Sequence, residues 1–215
     1  MEKEKKTANS ANIRAESAVY SAAQLFLQRR IEDVKMTDIA QASGIGVASL
    51  YRWFGTKETL VIYAGALLWR DLGAVFENIH TDPSFREKTG YAQIEALFGA
   101  YRVLFREHAD FIRFIADFDD YALRAPLNAQ ALAEYEKSIL NFYPHFLRAF
   151  QKGLADGSIR KDADPQLFYD TVNHAMMALS QKLLRGEILG QDRFGGSDEP
   201  DLLLTMVLSW LAAEK

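Results

Sequence analysis

Along the 215 residues, apolar positions recur at helical spacing almost everywhere, and no sustained alternation bounded by hairpin turns interrupts them. A period near 3.6 gathers apolar side chains on one stripe of a helix, so the pattern predicts an all-α chain of about nine helices. Ile13, Val19, Ala22, Ala23 and Phe26 mark a first helix over roughly 12–30. Thr37 is placed to cap a short second helix through Ser43, which stops at Gly44. A third short helix is expected from Val47 to Phe54, with Gly55 breaking it. Thr56 then caps a long fourth helix in which Leu60, Tyr63, Leu67, Leu68, Val75, Phe76 and Ile79 keep one apolar stripe.

Asp82, Pro83 and Gly90 read as a linker, followed by helices near 91–106 and 108–120. A seventh helix is expected over about 127–153, kinked or split by Pro144, whose ring and missing N–H disrupt the helical ladder. Asp164 is an N-cap and Pro165 a first-turn residue for an eighth helix. A loop with Gly190, Gly195 and Gly196 leads to a last helix from about Pro200 to Ala213.

Composition narrows the chemistry. The chain has no Cys and only four His, far apart in sequence, which excludes a disulfide framework and a Cys-based zinc site and gives no local metal-ligand motif. No nucleophile-base pair, P-loop or dinucleotide fingerprint is present, so neither a metal nor a cofactor is implied and catalysis is not expected. The charged start lacks an apolar signal region and no apolar run reaches the length of a membrane span, so a cytoplasmic protein with no membrane partner is expected. The formal charge of −4 is unevenly spread. Residues 1–60 hold nine Lys/Arg against seven Asp/Glu, and the remainder holds 16 against 22, which directs the search for a polyanion contact to the first sixty residues.

Two short helices joined by a tight glycine turn, with another helix before them, are what a helix-turn-helix requires. With Leu50 at zero on a helical wheel, Val47 and Phe54 fall within about 60° of it and form the buried side. Ala48 and Arg52 point away from that side, Ser49 lies next to them, and Tyr51 and Trp53 take the flanks.

The sequence resembles the tetracycline-repressor (TetR) family of bacterial transcriptional regulators. The likeness rests on Ala22-Ala23-Gln24-Leu25-Phe26, on Thr37-Asp38-Ile39-Ala40 through Ser43-Gly44-Ile45, and above all on Leu50-Tyr51-Arg52-Trp53-Phe54-Gly55-Thr56-Lys57-Glu58. The resemblance implies that Thr37 and Lys57 touch phosphates and that Tyr51 packs on the sugar-phosphate backbone. It also implies that Val47, Ala48, Ser49, Arg52 and Trp53 face the groove, with Gly46 opening the recognition helix. Arg52 has the donors for guanine O6 and N7, and the methyls of Val47 and Ala48 suit a thymine methyl. Tyr51 and Trp53 are also open to plain hydrophobic packing. The chain departs from the family pattern at Arg30 and Ile31, where Gly and an aromatic are usual, and at Gly46, Val47 and Ala48, which remove a polar reader. Direct base readout is therefore thin, and DNA shape together with a basic arm (Lys3, Lys5, Lys6, Arg14) is expected to contribute. Glu2 and Glu4 alternate with those lysines, so a merely solvated tail is the other reading.

The resemblance and the helix pattern together give a flexible arm at 1–11, a DNA-binding domain at 12–60, and a helical ligand-binding and dimerisation domain at 61–215. Phe168, Val172, Ala175, Leu179 and Leu183 form one stripe, and Leu203, Met206, Val207 and Trp210 another; with their symmetry mates they would close a four-helix bundle. Packing within one chain is the alternative. An aromatic-rich block, including Phe98, Tyr101, Phe105, Phe114, Phe118 and Tyr143, lies where the family encloses its inducer, and His145 and His174 are the polar candidates beside it. Core packing explains most of these aromatics equally well.

The function expected is a homodimeric, ligand-responsive repressor released from a palindromic operator by a small apolar or aromatic inducer. The alternative is a helical small-molecule-binding protein or enzyme with a vestigial helix-turn-helix. A third reading, a sequence-indifferent architectural DNA binder, conflicts with the acidic total charge.

Overall fold

A computed structural model describes residues 2–185 and 198–213. The fold is all-α: eleven α-helices and one 3-10 turn are described, rather than about nine helices, with a lone bridge between Ile159 and Ala212 as the only extended pairing among the described residues. In order they are α1 (Glu2–Gln28), the 3-10 turn (Ile31–Asp33), α2 (Met36–Ser43), α3 (Val47–Phe54), α4 (Lys57–Thr81), α5 (Pro83–Glu87), α6 (Gly90–Glu107), α7 (Ala109–Ala122), α8 (Ala129–Ser138), α9 (Tyr143–Asp156), α10 (Pro165–Leu184) and α11 (Asp198–Leu211).

The extra helices have local causes. Asp82 accepts a hydrogen bond from the Ser84 N–H at 2.8 Å and Pro83 occupies the first turn, so the expected linker winds into α5. Pro144 splits the expected seventh helix: α8 ends at Ser138, and α9 begins at Tyr143 with the proline in its first turn, where no intrahelical N–H is required of it. Helix α1 begins well before residue 12. Asp164 caps α10 through the Leu167 N–H at 2.7 Å, as expected. The glycine loop at Gly190, Gly195 and Gly196 lies outside the described residues.

The chain divides into two compact units. The first joins residues 1–72 to 114–140 and is filled by Phe26, Ile39, Leu50, Leu60, Ile62 and Phe114, all buried. In it Phe118 stacks on Tyr135 at 4.6 Å between ring centroids, and the Trp69 indole N–H donates to the Tyr135 hydroxyl at 2.9 Å. The second joins 73–113 to 141–215, around Ile94, Phe98, Phe146, Phe168, Met176 and Leu204. Within it α6 and α9 come so close that a Cβ on Gly90 would collide with the Gly153 backbone, which explains glycine at 90, while a Cβ on Gly153 would press on the Ile159 side chain at 3.0 Å.

Candidate nucleic-acid interface

The interface is assembled by three short-range devices. Gly44 adopts a left-handed conformation (φ 68°), and the paired bonds Ile45 N–H to Ala40 O (3.1 Å) and Gly44 N–H to Gln41 O (3.4 Å) turn the chain sharply out of α2. Gly55 also has a positive φ (72°) but at ψ −56° lies outside the left-handed helical region, and it ends α3 in a tight turn closed by the Thr56 N–H to the Phe54 carbonyl at 2.8 Å. The Thr56 hydroxyl accepts from the Thr59 N–H at 3.2 Å and caps α4, as expected.

At the start of α2 the structure corrects the expected cap. Thr37 lies inside the helix and is exposed; the cap position belongs to Lys35, whose N–H donates to the Asp38 carboxylate at 3.0 Å. That bond, with Arg29 close by, holds the Asp38 carboxyl below the usual carboxylate range. Lysine has no side-chain acceptor and gives no cap signal in the sequence, so the reciprocal half of a capping box from Asp38 was overlooked. Lys35 itself is exposed beside Thr37, a second cation on this edge that the sequence reading missed.

Helix α3 presents the faces the wheel assigns. Leu50 and Phe54 are buried, Val47 is half-buried, Ala48, Tyr51 and Arg52 are exposed, and Ser49 and Trp53 lie between. Gly46 precedes the helix with no side-chain cap, leaving the first amides of α3 without a side-chain acceptor. The Arg52 Nη2 is 3.5 Å from the Ser49 hydroxyl and its guanidinium carbon 5.9 Å from the Trp53 ring centre, contacts too loose to fix it.

Lys57 is more constrained. Its ammonium lies 3.4 Å from the Glu32 carbonyl oxygen and 5.9 Å from the Tyr121 ring centre. Burial lowers its pKa, while Glu58, Glu32, Asp117 and Asp33 act in the opposite sense. The 3-10 turn that carries Glu32 is itself held from α7, because the buried Ile31 donates its N–H to Asp117 at 2.6 Å. Arg30 reaches the same carboxylate at 3.5 Å, so the unusual pair Arg30-Ile31 builds a turn anchored by α7.

The other site candidates fall in different places. Phe114 and Phe118 belong to the interior of the first unit. In the second unit Phe98, Tyr143, Phe146, Phe168 and Tyr169 interlock with centroid spacings of 5.2–6.2 Å, and Phe105 is half-buried. Tyr101 donates its hydroxyl to Asn173 at 2.6 Å, and burial raises its pKa so that it stays neutral. His174 is exposed on α10, and His145 opens onto the surface of α9. Of the two apolar stripes, Phe168 and Val172 are buried within the chain, whereas Ala175, Leu179, Leu183, Leu203 and Val207 are half-buried and Met206 and Trp210 exposed. The latter two line, with Leu167, Leu203 and Val207, an apolar groove of about 410 Å³. Among the described residues no helix is long and apolar enough to cross a membrane, and no cluster of His, Asp and Glu could hold a metal ion.

Residues 19–64 match the family model of bacterial regulatory proteins, tetR family. The ketosteroid transcriptional regulator KstR2 of Mycobacterium tuberculosis superposes with a TM-score of 0.57 at 20% identity, covering 94% of this chain and 96% of its own. The fatty acid degradation regulator FadR of Bacillus halodurans gives 0.61 at 14% identity over 91% and 98%. RolR, in its complex with resorcinol, gives 0.57 at 16% identity over 96% and 91%. No curated protein matches by sequence. At these identities the structural likeness speaks for the fold, while the matched segment coincides with the end of α1, α2, α3 and the start of α4. The chain thus carries, at residues 19–64, the DNA-binding helix-turn-helix domain of the tetR family of bacterial regulatory proteins, on a fold shared with solved transcriptional regulators.

Proposed function

We propose that the chain acts as a homodimeric repressor that reads a palindromic operator and lets go of it when a small apolar or aromatic molecule binds. The observation that carries this reading is the outward face of α3, where Ala48, Tyr51 and Arg52 stand exposed on a helix whose opposite side is locked by Leu50 and Phe54. A helix presented in this way enters a major groove by its first turns. In this assignment residues 12–60 form the DNA-binding domain behind the arm at 1–11. Arg52, Ser49, Val47, Ala48 and Trp53 face base edges, while Tyr51, Thr37, Lys57, the exposed Lys35 and the amides after Gly46 meet the backbone. Residues 61–215 form the ligand-binding and dimerisation domain.

The groove of α10 and α11 supports the dimer, because large apolar side chains left in water there would be covered by a symmetry mate. For the inducer, Phe98, Tyr101, Phe105 and Tyr143 supply apolar walls within the second unit and the Tyr101-Asn173 pair a polar anchor, with His145 and His174 as outer polar candidates. KstR2 is described as a ketosteroid regulator and RolR carries resorcinol, both ligand chemistries of the apolar or aromatic kind proposed.

Selection of bound duplexes from the source organism's DNA, beginning upstream of the protein's own gene, tests the reading. Enrichment of an inverted repeat with half-sites about one helical turn apart is the expected outcome. Uniform retention of all duplexes at a stated salt concentration would refute it.

A further inference from the structure

Unit two gathers positive charge on one surface of a chain whose formal charge is −4. A pocket of about 380 Å³ opens there, lined by Phe85 and Arg86 of α5, Gln93 of α6, and His145, Arg148 and Lys152 of α9. The three α9 residues are spaced i, i+3 and i+7, which puts them on a single helical face. Among the described residues no carboxylate lines the pocket. Its volume falls in the range of small-molecule sites and exceeds what packing alone leaves open.

The backbone dipoles that would repel an anion are already occupied. The Lys152 ammonium donates to the Arg86 and Lys88 carbonyls at 2.8 and 2.5 Å, and the buried Gln93 amide donates to the Phe85 carbonyl at 2.8 Å. Two of three ammonium hydrogens are thereby used, and the charge stays at the pocket. Arg148 donates from Nη2 to the His145 Nδ1 at 3.0 Å, since a guanidinium has only donors. Elsewhere in the unit, Arg102 and Arg106 share Asp201 and Arg160 pairs with Asp162. Arg86 and Arg148 are exposed and have no carboxylate partner among the described residues.

From this geometry we infer that the α5-α6-α9 pocket is a binding site for a small molecule bearing a phosphate or carboxylate group, held between the Arg86 and Arg148 guanidiniums. Both forks match the oxyanion geometry that a point-charge lysine does not. The Phe85 ring offers the remainder of such a ligand an apolar rest. The site shares Phe85 with the core of the unit and His145 with the outer inducer candidates, but its anion grip rests on Arg86 and Arg148, which the inducer reading does not use.

The test is calorimetric titration of the full chain with inorganic pyrophosphate and, separately, with citrate, at constant ionic strength. Arg86→Gln and Arg148→Gln are compared with Arg113→Gln, which removes the same charge from an exposed site on α7. Saturable binding of at least one anion is expected, weakened about tenfold by either pocket variant, as for the loss of a charge-assisted bond, and unchanged by Arg113→Gln. Pyrophosphate alone assigns the site to phosphate, citrate alone to carboxylate, and both to either group. Melting curves verify that the exposed variants fold. No saturable binding of either anion, or one affinity shared by all four proteins, overturns the inference.

Discussion

The α3 face and the α10-α11 face both leave large side chains in water, yet they differ in what could relieve that exposure. On α3 the exposed positions are a methyl, a phenol and a guanidinium, groups that water solvates acceptably and that a polyanion with groove-edge acceptors solvates better. On α10 and α11 they are Leu167, Met206 and Trp210, and among the described residues lining their groove Asp164 alone is charged. Such a patch gains from water only by being covered with apolar surface. Exposure alone therefore names no partner; the chemistry of the exposed atoms does.

The comparison breaks most visibly at Met206, which is 60% exposed in the single chain. Met206→Glu should leave the fold intact, because its side chain contributes little to the interior. In a dimer through this groove it would bury an unpaired carboxylate at a cost of several kcal/mol, about 3–5 for a broken buried charge. Sedimentation is expected to show monomers at concentrations where the wild type is dimeric. A folded Met206→Glu dimer would remove this face as the interface. Trp210→Glu and Leu179→Glu test the same idea less cleanly. Trp210 also stacks on Phe168 at 5.7 Å and lies under Arg160 at 4.4 Å, and Leu179 is half-buried, so either change disturbs the chain itself.

On the α3 side the two cations should separate. Arg52→Ala should cost about 1–3 kcal/mol on operator and little on random duplex, if the guanidinium reads a base edge. Equal losses on both would demote Arg52 to a backbone contact. Lys57→Ala should instead weaken both duplexes together and lower the salt slope by about one unit per half-site. The Glu32 carbonyl and the acids around Lys57 compete with a phosphate for its ammonium, so the loss should be the smaller of the two. Binding measured for both variants on both duplexes at two salt concentrations decides between the roles.

How much of this was legible in the sequence follows the range of the forces involved. Helix α3, with its bounds at Val47 and Phe54 and its faces, follows from a 3.6-residue wheel between two glycines, all within one short segment. The Thr56 and Asp164 caps are equally local. The anchoring of the 3-10 turn by Asp117 joins residues 86 positions apart, and no periodicity announces it. For the same reason the aromatic block, continuous in sequence pattern, divides between the interiors of two units. The dimer stripe was half legible: Phe168 and Val172 obey the apolar period but spend it inside the chain, while Leu167, off the stripe, is 68% exposed. The α9 basic row at His145, Arg148 and Lys152 stands out from the other charged helix faces only through the pocket it lines.

The smallest expected effect sharpens the boundary between structure and recognition at the start of α2. Thr37 and Asp38 are neighbours, and the sequence pattern made the threonine the cap. Because the Lys35 N–H donates to Asp38 at 3.0 Å and Thr37 is exposed inside the helix, the two alanine variants should fail differently. Thr37→Ala should melt as the wild type does and lose only a phosphate hydrogen bond, about 0.5–1.5 kcal/mol on operator and random DNA alike. Asp38→Ala should melt at a lower temperature, since the Lys35 amide loses its acceptor. The pH dependence follows with a definite sign. The folded-state pKa of Asp38 is held below its unfolded value by the Lys35 N–H and by Arg29, so its contribution is complete above the unfolded value and is lost as pH falls through the folded one. In Asp38→Ala that acid-side loss should be missing, while Thr37→Ala should keep it. Melting curves from neutral to acid pH measure this difference. Identical curves for the two variants would return the cap to Thr37.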